Sequence, residues 1–189
     1  RAYETRFFGH IKGELGGNYQ EKNANTVLTA AMHLYNKGVI KNTESIEKGF
    51  ANVCEMTGLM GRWQTIQKQP LVICDTGHNV GGWKYLSQQI KHTPCKQRRI
   101  VFGMVDDKDL HSVMGMLPDD AVYYWTQPST HRAFPVHKVS ETADTSNLRG
   151  KQYPTVMEAY RAAIADADKD DFIFVGGSSY VVADLLVGI

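Results

Sequence analysis

The chain has 189 residues, of which 42% are hydrophobic and 22% charged, and its formal net charge is +1. This composition is typical of a globular protein with a buried core, and the near-neutral charge gives no basis for binding nucleic acid or an anionic membrane. No apolar stretch is long enough to cross a bilayer. The three cysteines are widely spaced, which favours reduced thiols in a cytoplasmic protein over a disulfide framework or a zinc site. We expect a monomer that acts on small molecules.

The first part of the chain is predicted to be mainly helical. Residues 5–11 fit an edge strand, and several glycines then interrupt regular structure. From Asn23 onward, apolar residues recur at the spacing of one buried helix face. A second helix is predicted to begin near Asn42 or Thr43, since both are good N-caps, and to carry Val53 inward.

The sequence Gly58-Leu59-Met60-Gly61 interrupts the helical pattern, and we place a domain boundary there, between residues 1–60 and 61–189. Beyond it, strands alternate with helices, which predicts an α/β fold with a Rossmann-like, mostly parallel sheet flanked by helices. A helix is predicted over residues 108–117, with Asp107 as its cap. The predicted strands cover residues 71–74, 99–103, 121–125 and 171–175.

A polar cluster follows the first of these strands directly. Asp75-Thr76-Gly77-His78-Asn79 comes after the apolar run, and a segment with helical periodicity follows it. In open α/β sheets ligands bind at the carboxyl ends of strands, so this loop is the predicted place for chemistry. A simpler interpretation is that Asp75 and Asn79 only turn the chain and cap the helix. The spacing alone leaves both interpretations open.

Several common sites are excluded by the absence of their motifs. No lysine is followed by Ser or Thr, so a Walker-type phosphate loop is missing, and no G-x-G-x-x-G stands at a strand-to-helix turn. The stretch 176–180 ends in Tyr180 and is therefore not a G-x-S-x-G nucleophile elbow. The seven histidines show no pairing at metal-ligand spacing.

Three further polar residues are candidates for anion binding. Arg62 is suited to clamp a phosphate, and Lys108 to bind a carboxylate or phosphate as a point charge. Ser178 stands behind two glycines at the predicted start of a helix, where the backbone favours an anion. A surface Arg or Lys is usually only solvated, so each of these signals is weak alone. Their order and spacing together are specific.

In that order the clusters resemble the carboxyl-terminal portion of folylpolyglutamate synthase / dihydrofolate synthase, within the Mur ligase superfamily of ATP-dependent amide-forming ligases. Met60 and Val80 stand where this family usually has proline. The segments that carry the resemblance are 16–24, similar to G-x-x-Q-x-x-N-A; 61–64, similar to P-G-R-x-Q; 75–79, similar to D-x-A-H-N-P; 102–109, similar to G-x-x-x-D-K-D; and the residues Pro128, Arg132-Ala133 and 177–180.

The resemblance implies a reaction and roles for individual residues. A substrate carboxylate attacks the γ-phosphate of ATP, and the amino group of glutamate then displaces phosphate from the acyl phosphate to form an amide. On the nucleotide side, Gln20 and Asn23 would contact adenine, Arg62 the phosphates and Asp75 the ribose hydroxyls.

On the amino-acid side, the resemblance implies that His78 and Asn79 lie between the nucleotide and the incoming glutamate. Lys108 and Ser178 would help to hold the glutamate. Of these residues, the ones expected to take part in catalysis are Arg62, His78 and Lys108.

The resemblance also implies what the chain lacks. Residues 1–60 would be the end of a central ATPase domain, and residues 61–189 the glutamate-ligase domain. ATP and Mg²⁺ are the implied cofactors, but the phosphate loop and metal ligands would precede Arg1, so the chain alone is expected to be inactive and to hold no metal. Two alternatives stay open: a ligase of peptidoglycan precursors, and a non-catalytic α/β module that binds a small anion.

Overall fold

A computed structural model describes residues 1–106 and 108–189, and it divides the chain into two compact units, Arg1–Arg62 and Trp63–Ile189. The predicted boundary after residue 60 lies two residues from this division. Asp107, predicted as a helix cap, lies outside the described residues. In the described part of the chain, no helix is long and apolar enough to span a membrane.

The first unit combines a β-hairpin with three helices. Strands β1 (Ala2–Thr5) and β2 (Gly9–Lys12) pair in antiparallel fashion, and they are followed by α1 (Gln20–Asn36), α2 (Glu44–Ala51) and α3 (Val53–Thr57). The core of this unit contains Ile11, Leu28 and Ile46, one residue from each of β2, α1 and α2.

The helices of this unit follow the sequence prediction more closely than its strands do. The single edge strand predicted over residues 5–11 is wrong, because residues 6–8 form the turn of the hairpin. Helix α2 begins directly after Thr43, as predicted. It ends at Ala51, however, and Val53 begins the separate short helix α3.

The second unit is a six-stranded sheet with helices on both faces. The sheet order is β3-β4-β8-β5-β6-β7, and all pairs are parallel except β3 with β4. The predicted mostly parallel α/β fold is therefore confirmed. The elements are β3 (Gln64–Lys68), β4 (Leu71–Asp75), α4 (Val80–His92), β5 (Arg98–Phe102), α5 (Leu110–Met114), β6 (Ala121–Trp125), α6 (Val136–Thr145), β7 (Gly150–Gln152), α7 (Val156–Ala165), β8 (Phe172–Gly176) and α8 (Ser179–Gly188).

The four central strands are the predicted ones, within one residue at either end. They were predictable because burial on both faces requires a continuous apolar run. Strands β3 and β7 were not predicted, since both lie at the edges of the sheet and their sequences, QTIQK and GKQ, are mostly polar. An edge strand has one side exposed to water, so its sequence lacks the continuous apolar run that marks a buried strand.

The two faces of the sheet bury different side chains. On one face, Val101, Tyr124 and Val175 pack with α7 and α8. On the other face, Trp83 of α4 makes edge-to-face contacts with Phe102 and Phe174, at ring-centroid distances of 5.6 and 5.9 Å. Edge-to-face pairs of this kind add to the free energy of burial. The strands are therefore held rigidly, which fixes where their carboxyl ends lie.

A charged network closes the opposite, amino end of the sheet. The Asp171 carboxylate accepts hydrogen bonds from the Arg99 guanidinium at 3.0 Å and from the backbone N–H groups of Gln97 and Asp168. Both side chains of the ion pair are largely buried, with 13% of Arg99 and 2% of Asp171 exposed. Arg99 also donates to the hydroxyl of Tyr124 at 3.0 Å. Burial is the main cause that raises the pKa of Tyr124 to about 12.

Replacing Asp171→Ala should lower the free energy of unfolding by about 3 kcal/mol, because it leaves a buried guanidinium without its counter-charge. Urea unfolding followed by circular dichroism measures this loss. The matched control is Asp168→Ala, whose ion pair with Lys96 is exposed to solvent and should matter much less. Equal losses in the two variants would contradict the importance assigned to the buried pair.

Candidate functional site

The carboxyl ends of four parallel strands lie in register. One row across β4, β8, β5 and β6 consists of Asp75, Gly176, Phe102 and Trp125. The residues that follow this row are Thr76, Gly177, Gly103 and Thr126. Strand β8 lies between β4 and β5. The loops that carry Asp75, Ser178 and Lys108 therefore leave neighbouring strands at the carboxyl end of the sheet.

Close backbone packing at the carboxyl ends of these strands requires glycine. Gly177 has a φ of +106°, and a Cβ atom there would lie 2.2 Å from the carbonyl oxygen of Gly103. A Cβ atom on Gly103 would in turn lie 2.7 Å from the carbonyl oxygen of Thr126. Neither backbone contact can move without shifting a strand, so larger side chains are excluded at both positions.

The carboxylate of Asp75 is fully buried and bound to the backbone. Its Oδ2 accepts a hydrogen bond from the N–H of Trp63 at 2.7 Å, and its Oδ1 accepts one from the N–H of Gly77 at 2.8 Å. Asp75 thus ties the start of β3 to the loop after β4. This is the turn-forming role that the sequence left open, and the predicted ribose contact stays a prediction.

Asn79 and His78 occupy the start of α4. The Asn79 side chain caps the helix by accepting from the N–H of Gly82 at 2.8 Å. The Nδ1 atom of His78 lies 3.0 Å from the carbonyl oxygen of Thr76. A carbonyl can only accept, so Nδ1 carries the proton in this contact, and in the neutral ring Nε2 is left as a hydrogen-bond acceptor.

Ser178 and Lys108 follow the next two strands. Ser178 is buried, and its Oγ caps α8 by accepting from the N–H of Val181 at 3.2 Å. Its hydroxyl proton can still be donated, since a hydroxyl both donates and accepts. Lys108 precedes α5 instead of beginning it, because the helix starts at Leu110 with Asp109 as its N-cap. The predicted helix over residues 108–117 is thus too long at both ends.

The loops after β5 and β6 are joined to each other and to α8. The N–H of Phe134 donates to the carbonyl of Met104 at 2.9 Å, and Val105 and Ala133 form an isolated antiparallel bridge. The carboxylate of Asp184 on α8 accepts from both the N–H and the hydroxyl of Ser129, at 2.7 and 2.6 Å. No pattern in the sequence predicts the contact between Ser129 and Asp184, which are 55 residues apart.

The adenine candidates lie in the first unit and contact each other. Asn23 Nδ2 donates to Gln20 Oε1 at 3.1 Å, in the first turn of α1. Both residues line a cavity of about 360 Å³ whose other walls include Ile46 and Phe50. Apolar walls with a few placed amides fit a flat heteroaromatic ring. Arg62 is the last residue of this unit and follows Gly61, which has a φ of +71°.

The described residues do not form a metal site. Among them there is no group of three or more His, Cys, Asp or Glu side chains that could hold a metal ion.

Comparisons with known proteins match this architecture. The family model described as Mur ligase, glutamate ligase domain, matches residues 61–179. The dihydrofolate synthase/folylpolyglutamate synthase of Escherichia coli is 30% identical over 167 residues, which are 88% of this chain and 37% of that protein. The chain thus spans well under half the length of this curated relative.

Solved structures agree with the sequence comparison. FolC of Escherichia coli in complex with DHPP and ADP has a TM-score of 0.77 and 26% identity, and the match covers 97% of this chain and 42% of that one. A bifunctional folylpolyglutamate synthase/dihydrofolate synthase with Mn, AMPPNP and L-glutamate bound has a TM-score of 0.63 and 26% identity, over 78% of this chain and 35% of that one.

Replacing Asp75→Asn should loosen the loop after β4, because a side-chain NH₂ would then face one of the two backbone N–H groups. We expect the unfolding free energy to fall by about 1–3 kcal/mol, the cost of an unsatisfied buried group. Amide hydrogen exchange at Trp63 and Gly77 should become faster.

The control for this change is Thr155→Ala, which removes the N-cap of α7 and should cost about 1 kcal/mol. It should leave the exchange of Trp63 and Gly77 unchanged. If those two amides stayed protected in Asp75→Asn, the anchoring role of the carboxylate would be wrong.

Proposed function

The chain belongs to the Mur ligase family, and on that premise we propose that it is the carboxyl-terminal part of an ATP-dependent ligase that adds L-glutamate to folate or dihydropteroate. Residues 1–60 would end the central ATPase domain, and residues 61–189 would form the glutamate-ligase domain. The similarity to folate ligases supports this branch of the family over ligases of peptidoglycan precursors. Three unpaired cysteines are in keeping with a cytoplasmic enzyme.

One observation carries the proposal more than any other. The order β4-β8-β5 brings the loops of Asp75, Ser178 and Lys108 to adjacent positions at the carboxyl end of the sheet. These residues belong to three segments that are far apart in sequence, and each matches its position in the family motifs. The carboxyl end of the strands is also where open α/β sheets bind their ligands.

On the amino-acid side, we assign Lys108 and Ser178 to the carboxylates of glutamate. Lys108 supplies a positive charge, and Ser178 a hydroxyl at the electropositive start of α8. The Nε2 of His78 is the acceptor that can receive a hydrogen bond from the amino group. The amine nitrogen then forms the new C–N bond, the acyl C–O bond to phosphate breaks, and the amine releases a proton.

On the nucleotide side, the amides of Gln20 and Asn23 would recognise the adenine edge. Arg62 would stabilise the negative charge that develops on the transferred phosphoryl group. Asp75 is fully buried, so a contact with ribose would require its carboxylate to become accessible. Mg²⁺ would neutralise charge on the phosphates, held by ligands outside this chain.

The assignment of Lys108 is tested in the full-length ligase by Lys108→Gln. The KM for L-glutamate should rise about 10- to 100-fold, because a charge-assisted hydrogen bond is lost. The KM for ATP should stay the same. Lys151→Gln, on the exposed edge strand β7, is the matched control and should behave as wild type. Unchanged glutamate kinetics in Lys108→Gln would remove this residue from the site.

Arg62→Ala should instead reduce kcat strongly with a smaller effect on the KM for ATP, since the charge it stabilises develops in the transition state. Steady-state kinetics with radiolabelled glutamate measures both constants. The 189-residue chain alone should show no ligation under the same conditions. Turnover by this chain alone would contradict the assignment of phosphate and metal binding to another part of the enzyme.

A further inference from the structure

Buried polar atoms without a partner point to groups that await a ligand. Among the described residues there are four such atoms: Thr76 Oγ1, Trp83 Nε1, Trp125 Nε1 and Thr126 Oγ1. Leaving such a group unpaired is costly, so native proteins rarely keep one without a purpose. The two indoles lie in the aromatic core beside α4, and Thr76 lies in the loop already assigned to the site. Thr126 has no role yet.

Thr126 directly follows β6, at the same end of the sheet as the candidate site. Its N–H donates to the carbonyl of Phe102 at 2.9 Å, so the strand ladder continues to this residue, and none of its surface is exposed. Side chains alternate along a strand, so Thr126 lies on the same sheet face as Tyr124. Tyr124 belongs to the cluster that packs against α7 and α8.

The first turn of α8 lies beside this position. A Cβ atom on Gly103, the neighbour of Thr126 across the ladder, would be 2.7 Å from the Thr126 carbonyl oxygen and 3.2 Å from Cγ2 of Val181. The backbone N–H groups of a helix's first turn carry a partial positive charge. Helix α8 has ten residues, and Ser178 caps only one of these N–H groups, that of Val181.

The loop that follows Thr126 is fastened to the same helix. Ser129 donates from its N–H and from its hydroxyl to the Asp184 carboxylate in the second turn of α8. Thr126 is thus held on one side by the ladder to β5 and on the other by this clamp. These contacts fix the backbone that carries the hydroxyl, and a fixed backbone lowers the entropy lost when a ligand binds.

We propose that the hydroxyl of Thr126 is a specificity-determining contact that donates a hydrogen bond to a carboxylate of the amino-acid substrate. This inference rests on the proposed ligase function. With it, the segments that follow β8, β5 and β6 each contribute a donor or a cation to the proposed site: Ser178, Lys108 and Thr126. Such a set of donors selects a dicarboxylic amino acid over a neutral one. In the sheet order, β8 and β5 lie between the strand of Asp75, β4, and the strand of Thr126, β6.

The test uses Thr126→Val in the full-length ligase, because valine keeps the shape and removes only the hydroxyl. The KM for L-glutamate should rise about 10-fold or more, with the KM for ATP unchanged. The ligand-free variant should melt at the same temperature or higher, since an unpaired polar group has become a methyl group. Thr126→Ser, which keeps the hydroxyl, should restore the KM for glutamate. Thr142→Val, at a half-buried position of α6, is the control for loss of a threonine hydroxyl elsewhere in the chain.

Two results would overturn the inference. One is an unchanged KM for glutamate in Thr126→Val. The other is a lower melting temperature with equal changes in all kinetic constants, which would show that the hydroxyl bonds within the protein. Calorimetric titration with L-glutamate gives a readout that does not depend on turnover. If the wild type neither ligates nor binds glutamate, the proposed function falls first, whereas glutamate binding lost only in Thr126→Val supports the inference.

Discussion

The buried carboxylate of Asp75 is the interaction on which the candidate site depends. A carboxylate taken out of water must find donors within the protein, and Asp75 finds the N–H groups of Trp63 and Gly77, on either side of it in sequence. One bond fixes the start of the antiparallel edge strand, and the other shapes the loop that leads to His78. The second unit of the chain begins at Trp63, so the same residue also anchors the point where this unit starts.

The central strands complete this arrangement by packing their ends closely. Gly177 lets the end of β8 approach that of β5, and Gly103 lets the end of β5 approach that of β6, where any side chain would collide with a backbone carbonyl. The polar residues that follow these strands are thereby brought together at the carboxyl end of the sheet. Their chemistry also divides along the sheet. Asp75 lies on the β4 side, and the cationic and hydroxyl groups of Lys108 and Ser178 lie on the β5 and β8 side.

Several residues of the proposed site also have structural roles. Asn79 and Ser178 each cap a helix, which is the simpler interpretation that their positions in the sequence allowed. A capping side chain is held in one orientation by its hydrogen bond, and this is also what a binding site requires. The cap at α8 leaves a hydroxyl proton to donate, so the two roles do not exclude each other.

The sequence by itself determined the central sheet, the main helices and the family, because buried strands and helices impose apolar runs and periodicity that neighbouring residues reveal. It missed β3 and β7, which lie half in water at the sheet edges and carry polar residues. Only the tertiary structure decided that the hydroxyl of Thr126 is buried without a hydrogen-bond partner and that Asp184 holds Ser129, 55 residues away. Such contacts depend on which strands become neighbours, and no local pattern encodes that order.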